Sequence, residues 1–368
     1  MTAGPPRRCW SAWMALGIAL SSPCLRAAED LADLLAPVLG KHGVPALGCA
    51  VIVDGEVAGI GASGVRKRGE ETKVTINDQW HLGSCTKAMT ATLLAKEVDE
   101  GSVAWATTMA DAFPDLRGKL DETAGRITVE QLLQHRAGLP AGPSPDLWRR
   151  MFSYPGIDPE ARTEVALELL AKPPEAEPGT RFLYSNAGYM IAGAVLERLG
   201  DKRPWEKRMR EDLFQPLGMK DSGFGPPGNK DSVSQPWGHP AGGGAAAFAD
   251  NPSSLGPAGT VYATLRDWAK FACLHLGEGR PLLTKGRLRE LHTPSGDHAL
   301  GWVVTARPWA PGPVLTHNGS NTMWYCVAWL APEAKFGVLV VCNDGGGAKA
   351  CDDAAAACIR RFRAQREP

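Results

Sequence analysis

The sequence predicts an α/β (α+β) protein in which an antiparallel sheet, flanked by helices, is assembled from both ends of the chain and interrupted by a mostly helical insertion. Three observations carry this. An apolar run at 47–53 is followed by Asp54-Gly55 and a second run to Ile60, the pattern of a tight hairpin. Further strand-like runs stand near the other end, at 300–304, 324–330 and 336–342. Between them, from about 100 to 220, the patterns are helical with loops. Strands at both ends with helices between them imply one sheet with a segment inserted in it.

The elements follow in order. Residues 29–39 read as an amphipathic helix, ahead of the hairpin. A buried helix is expected over 84–99, where Ser84-Cys85-Thr86-Lys87 leads into an apolar run. Thr128-Val129-Glu130-Gln131 is a capping box before Leu132-Leu133, and Gly138-Leu139-Pro140 ends that segment. Residues 221–259 change character: Gly, Pro and Ala dominate without periodicity, and a loop of this length inside a compact chain has a function or no order. A helix follows from Thr264 to Leu276, then the last strands, with Pro332-Glu333-Ala334-Lys335 as a hairpin turn and a closing helix over 349–363. The expected division is an α/β part at about 29–84 and 256–365, with a helical insertion at about 85–255. There are no repeats.

Composition narrows the function. The chain has 368 residues, long enough for one large domain or two closely joined ones. Lys+Arg and Asp+Glu balance to a formal charge of +0, so no global field favours nucleic acid or an anionic membrane surface. Arg7-Arg8, an apolar stretch from Trp10 to Leu20, and Leu25-Arg26-Ala27-Ala28 have the layout of a secretory signal peptide over residues 1–28, cleaved after Ala27 or Ala28. The apolar part is too short to span a bilayer comfortably, so a periplasmic or secreted protein without stable membrane insertion is expected. Seven cysteines follow the leader: Cys49, Cys85, Cys273, Cys326, Cys342, Cys351 and Cys358. An odd number leaves at least one thiol unpaired even in an oxidising compartment. No C-x-x-C, H-x-H or H-E-x-x-H pattern occurs, so the sequence implies neither a metal site nor a cofactor.

Candidate chemistry begins at Ser84. A serine at a helix N-terminus meets unsatisfied backbone N–H groups and the positive end of the helix dipole. Lys87, three residues on, lies on the same face within reach of the hydroxyl. Ser and Lys together make a nucleophile and base without a Ser-His-Asp triad. Tyr184-Ser185-Asn186 stands just before an apolar helix, and His317-Asn318-Gly319-Ser320 just before a strand expected to start near Trp324. His135 reads as a structural loop histidine, His81 as either a packed or a rim residue, and Cys85 as a small apolar side chain turned inward.

In the order S-x-x-K, Y-x-N, H-x-G, the chain resembles the penicillin-recognising serine hydrolases, specifically the class C β-lactamase branch with its esterase and D-aminopeptidase relatives. The resemblance runs from about residue 30 to 365. It includes the stretches Ile127-Thr128-Val129-Glu130-Gln131-Leu132-Leu133-Gln134-His135-Arg136-Ala137-Gly138-Leu139-Pro140, Glu177-Pro178-Gly179-Thr180, Pro216-Leu217-Gly218-Met219 and Gly256-Pro257-Ala258-Gly259. Y-x-N occurs once; H-x-G occurs three times, so order and spacing carry the match.

The resemblance implies a β-lactamase/transpeptidase-like fold and an acyl-enzyme on Ser84, with Lys87 as proton acceptor and Tyr184 relaying protons to the leaving group. It further implies that Asn186 holds substrate amides and orients Lys87. The N–H groups of Ser84 and Ser320 would form an oxyanion hole, with Gly319 leaving room for substrate and His317 lining the site. One departure bears on substrate. No K-[ST]-G occurs, and His317 stands where a β-lactamase usually has the lysine that grips a carboxylate. A histidine is mostly neutral at pH 7. The expected activity is therefore hydrolysis of an ester or amide in a small-molecule or peptide-like substrate, esterase- or D-aminopeptidase-like. The alternatives are a β-lactamase or D-Ala-D-Ala carboxypeptidase, and a catalytically silent binding protein. Oligomeric state is not legible in the sequence.

Overall fold

The computed structural model describes residues 1–2, 4, 27–154, 156–199, 202–277 and 282–364. The leader expected over residues 1–28 falls almost entirely outside them. Among the described residues no helix is long and apolar enough to cross a membrane.

Ten strands form two sheets among the described residues. Seven build the larger one: β1 (Glu29–Asp30), β2 (Ala46–Val53), β3 (Glu56–Gly64), β7 (Val303–Thr305), β8 (Val314–Ser320), β9 (Tyr325–Ala331) and β10 (Phe336–Cys342). Their order across it is β1-β3-β2-β10-β9-β8-β7. The two chain ends meet at its centre, where β2 pairs antiparallel with β10 from Phe336↔Val53 to Cys342↔Leu47. The β2–β3 hairpin turns at Asp54 (φ 50°) and Gly55 (φ 85°), the two left-handed residues that a right-twisted two-residue turn requires.

Both faces of the sheet are covered, so the central strands are apolar throughout rather than alternating. Leu47, Cys49 and Val51 with Val338, Val340 and Cys342 face helices Ala32–His42 and Ala348–Ala364. Ala46, Ala50 and Ile52 with Leu339 and Val341 face the helical part of the molecule. There, helices Thr86–Asp99 and Asn186–Arg198 are buried on nearly every side, which is why their sequences show little amphipathic contrast.

The structure departs from the sequence expectations in five places, one of them the strand expected over 300–304, which runs instead over Val303–Thr305. The first helix begins at Ala32, because Glu29–Asp30 pairs parallel with β3 instead. The residues before Thr86 form a tight 3-10 turn, Gly83–Cys85, so Ser84 lies in a turn and not within the helix proper. His317–Ser320 is part of strand β8 rather than the approach to the next strand. Finally, Gln79–His81 (β4), Gly223–Phe224 (β5) and Val261–Thr264 (β6) form a second sheet of order β4-β6-β5, which places His81 two residues ahead of the Gly83–Cys85 turn.

The site is positioned by a mismatch in strand length. β7 pairs with β8 only across Val314–Thr316. His317–Ser320 therefore extends past it, and the Gly83–Cys85 turn packs against that stretch.

Candidate active site

Lys87 sits in the first turn of helix Thr86–Asp99 with 0% exposure. Its Nζ is 3.1 Å from Ser84 Oγ, 2.8 Å from Asn186 Oδ1 and 2.7 Å from the carbonyl oxygen of Ala258. Burial disfavours the charged ammonium and brings its pKa from 10.5 down to about 7. Two of the three partners only accept hydrogen bonds. A neutral amine has two N–H groups, enough for Asn186 and Ala258, and its lone pair then points at the Ser84 hydroxyl. Such an amine can take up the hydroxyl proton, leaving an ammonium whose third N–H faces Oγ.

Tyr184 completes the cluster by donating from its hydroxyl to Ser84 Oγ at 2.8 Å. Desolvation pushes its pKa up to about 12, so the phenol keeps its proton at neutral pH and acts as a donor. Its ring lies over that of His135, with centroids 4.4 Å apart. His135 is buried, held neutral by desolvation and by the Lys87 charge, and its Nδ1 accepts the Ser185 N–H at 3.0 Å. Ser185, not Asn186, is the N-cap of helix Asn186–Arg198: its Oγ accepts from Gly188 N–H and donates to Pro140 O. That leaves the Asn186 side chain available to Lys87, while its own N–H bonds Ala141 O at 2.7 Å.

The third motif abuts the turn through its backbone. A Cβ on Gly319 would lie 2.0 Å from Leu82 O and 2.9 Å from Ser84 N, and a Cβ on Gly83 would lie 2.4 Å from Ser320 N. Two glycines thus let the Ser84 and Ser320 amides come together, and Gly83 also adopts φ 46°. The Ser320 hydroxyl accepts from Thr322 N–H at 2.9 Å. His317 is buried, at 7% exposure, with its Nδ1 2.6 Å from the carbonyl oxygen of Asn318. Cys85 is turned inward as expected, its thiol donating to His317 O.

Two contributions have no signature in single residues. The Ala258 carbonyl comes from the Gly256–Gly259 turn, fixed where Thr90 Oγ1 donates to Pro257 O and where Pro257 packs on Gly193. His81 binds the turn that carries Ser84, its Nδ1 accepting the Gly83 N–H at 3.1 Å.

Comparison with known proteins agrees with this architecture. Penicillin-binding protein 4 of Amycolatopsis lactamdurans is 32% identical over 251 residues, which is 65% of this chain and 61% of that protein. The unguisins hydrolase ungD' of Aspergillus campestris is 25% identical over 334 residues, 86% of this chain and 57% of that protein. The chain spans about three fifths of the length of these curated relatives. Among solved structures, a class C β-lactamase from Rhodobacter sphaeroides shares the fold with a TM-score of 0.74 at 20% identity, covering 90% of this chain and 98% of that one. The model of the Beta-lactamase family matches residues 31–358, from the first helix into the last, and the chain belongs to this β-lactamase family of serine hydrolases.

Proposed function

We propose that the protein hydrolyses an ester or amide bond through an acyl-enzyme on Ser84. The observation that carries this reading is the hydrogen-bond set of Lys87, which leaves a neutral amine's lone pair facing the Ser84 hydroxyl. In the first half-reaction Ser84 Oγ attacks the carbonyl carbon and its proton passes to Lys87 Nζ. The tetrahedral oxyanion faces the amides of Ser84 and Ser320. Lys87 returns the proton to the leaving group, with the Tyr184 hydroxyl in the same network. Water then attacks the acyl carbon and gives its proton to neutral Lys87 Nζ; the C–Oγ bond breaks, Ser84 Oγ takes that proton from Lys87, and the acid and free Ser84 are released.

An esterase- or D-aminopeptidase-like substrate is favoured. His317 occupies the third-motif position with its Nδ1 turned to a backbone carbonyl, which makes a weak grip on a substrate carboxylate. A β-lactamase or D-Ala-D-Ala carboxypeptidase is the second reading, supported by the likeness to a protein named penicillin-binding protein 4. The reading of residues 1–28 as a signal peptide supports export.

The test is hydrolysis of p-nitrophenyl acetate and butyrate beside nitrocefin, for wild type, Ser84→Ala and Lys87→Ala. Ester turnover lost in both variants, with nitrocefin untouched, is the expected result. Comparable nitrocefin turnover would favour the second reading. A folded wild type with neither activity, and without labelling by a fluorophosphonate or a fluorescent penicillin, would overturn both.

A further inference from the structure

We propose that His81, Asp250 and Asn321 form a buried relay that positions the two halves of the oxyanion site. This rests on the hydrolase reading above. His81 ends β4, two residues ahead of the Gly83–Cys85 turn, and its side chain has 0% exposure. Its Nδ1 accepts the Gly83 N–H, which assigns the ring proton to Nε2. That nitrogen donates to Asp250 Oδ2 at 2.8 Å. The other carboxylate oxygen, Oδ1, accepts from Asn321 Nδ2 at 3.0 Å. Asn321 Oδ1 in turn accepts from Met323 N–H at 3.2 Å. A continuous chain of hydrogen bonds therefore runs from the residue before Ser84 to the residue after Ser320.

The glycine contacts across Gly83 and Gly319 set how closely the turn and β8 approach, but van der Waals contact has little directional preference. Hydrogen bonds to a buried carboxylate are directional and strong. The Asp250 carboxylate, with 4% side-chain exposure, ties both elements to one point and so holds the angle between the Ser84 and Ser320 amides. It comes from the Gly-, Pro- and Ala-rich segment 221–259, to which the relay gives a purpose. His81 is a positioning residue and not a base for Ser84. Both ring nitrogens are engaged, and the ring is closed off from substrate.

The test uses a charge swap. In Asp250→Asn, one of the two donors facing position 250 meets an amide NH2 group, and the relay breaks. In the double variant Asp250→Asn/Asn321→Asp, the new amide accepts from His81 through its oxygen and donates through its nitrogen to the new carboxylate. The second oxygen of that carboxylate takes the Met323 N–H, so every bond is restored. Expected for Asp250→Asn is a loss of about 10²-fold in kcat on the ester the wild type cleaves, comparable to removing an oxyanion donor, with KM within about twofold. The swap is expected to recover kcat to within about threefold. His81→Gln keeps the contact to Asp250 but leaves Gly83 N–H without its acceptor, and the same kcat loss is expected. It provides the reading if Asp250→Asn does not fold. Folded variants with unchanged kcat, a loss carried by KM, or a folded swap that stays slow would each overturn the relay. A folded wild type that turns over neither ester nor nitrocefin and takes neither label would overturn the hydrolase reading, and the relay with it; an active wild type matched by its variants overturns the relay alone.

Discussion

Lys87 Nζ and Ser84 Oγ stand 3.1 Å apart at the point where a 3-10 turn becomes a helix, and Lys87 reaches that hydroxyl with no exposure to water. Burial is what makes a lysine useful here, since a fully protonated ammonium cannot accept a proton. With its pKa lowered to about 7, roughly half of Lys87 is neutral at neutral pH.

A pH profile follows from that value. The active form carries neutral Lys87, so kcat/KM should rise about tenfold per pH unit below 7 and level off above it. Tyr184, pushed up to about 12, stays protonated across this range and adds no break. A profile of ester hydrolysis from pH 5 to 9 checks this. A rate still climbing tenfold per unit at pH 9 would mean that Lys87 titrates as an ordinary exposed lysine.

The same shift predicts a stability trend. Between about pH 7 and 10.5 the folded protein has released the Lys87 proton and the unfolded chain still holds it. Where the unfolded state binds more protons, stability rises with pH, here by about 1 kcal/mol per unit. Wild type should gain on Lys87→Met as the pH is raised from 7.5 to 9. Urea melts of both proteins at those two values measure the difference, and parallel behaviour would refute the trend.

Gly319 should tolerate no side chain. An alanine Cβ would stand 2.0 Å from Leu82 O and 2.9 Å from Ser84 N, so either the turn or β8 must move. Overpacking of this kind costs about 1–3 kcal/mol, and the displaced Ser84 amide should lower kcat by at least about 10²-fold. Thermal melting and ester kinetics of Gly319→Ala report the two effects separately.

What the sequence shows and what it hides divide along chain distance. Ser84 and Lys87 are legible because one helical turn brings them together, and Tyr184 and Asn186 because a short motif precedes an apolar helix. The hairpin and the last two strands are legible from apolar runs, since both faces of the sheet are covered. His317–Ser320 is hidden as strand because Thr316, His317, Asn318 and Ser320 are polar, as suits an edge that extends past its neighbour. The small sheet is hidden because its strands are two to four residues long. The partnership of His81 with Asp250 spans 169 positions and arises from a segment without periodicity, so no local pattern announces it.

A buried ion network beneath the site provides the last prediction. Arg162, with 1% side-chain exposure, contacts Glu197 through Nη1, and through Nη2 meets Glu206 at 2.6 Å and Ser253 O at 2.9 Å. It thereby ties helix Pro159–Leu170 to helix Asn186–Arg198 and to the turn just before Gly256–Gly259, whose Ala258 carbonyl holds Lys87. Arg162→Ala leaves two carboxylates buried without their cation, a loss of about 3–5 kcal/mol at pH 7. Desolvation already raises the Glu197 pKa even with Arg162 present, and removing the guanidinium raises it further. In the variant Glu197 then takes up a proton as pH falls, which relieves part of the buried charge, so the deficit should shrink between pH 7 and 5. Denaturant melts of wild type and Arg162→Ala at the two pH values check this. A deficit that stays constant or grows toward pH 5 would show that packing rather than uncompensated charge sets the loss.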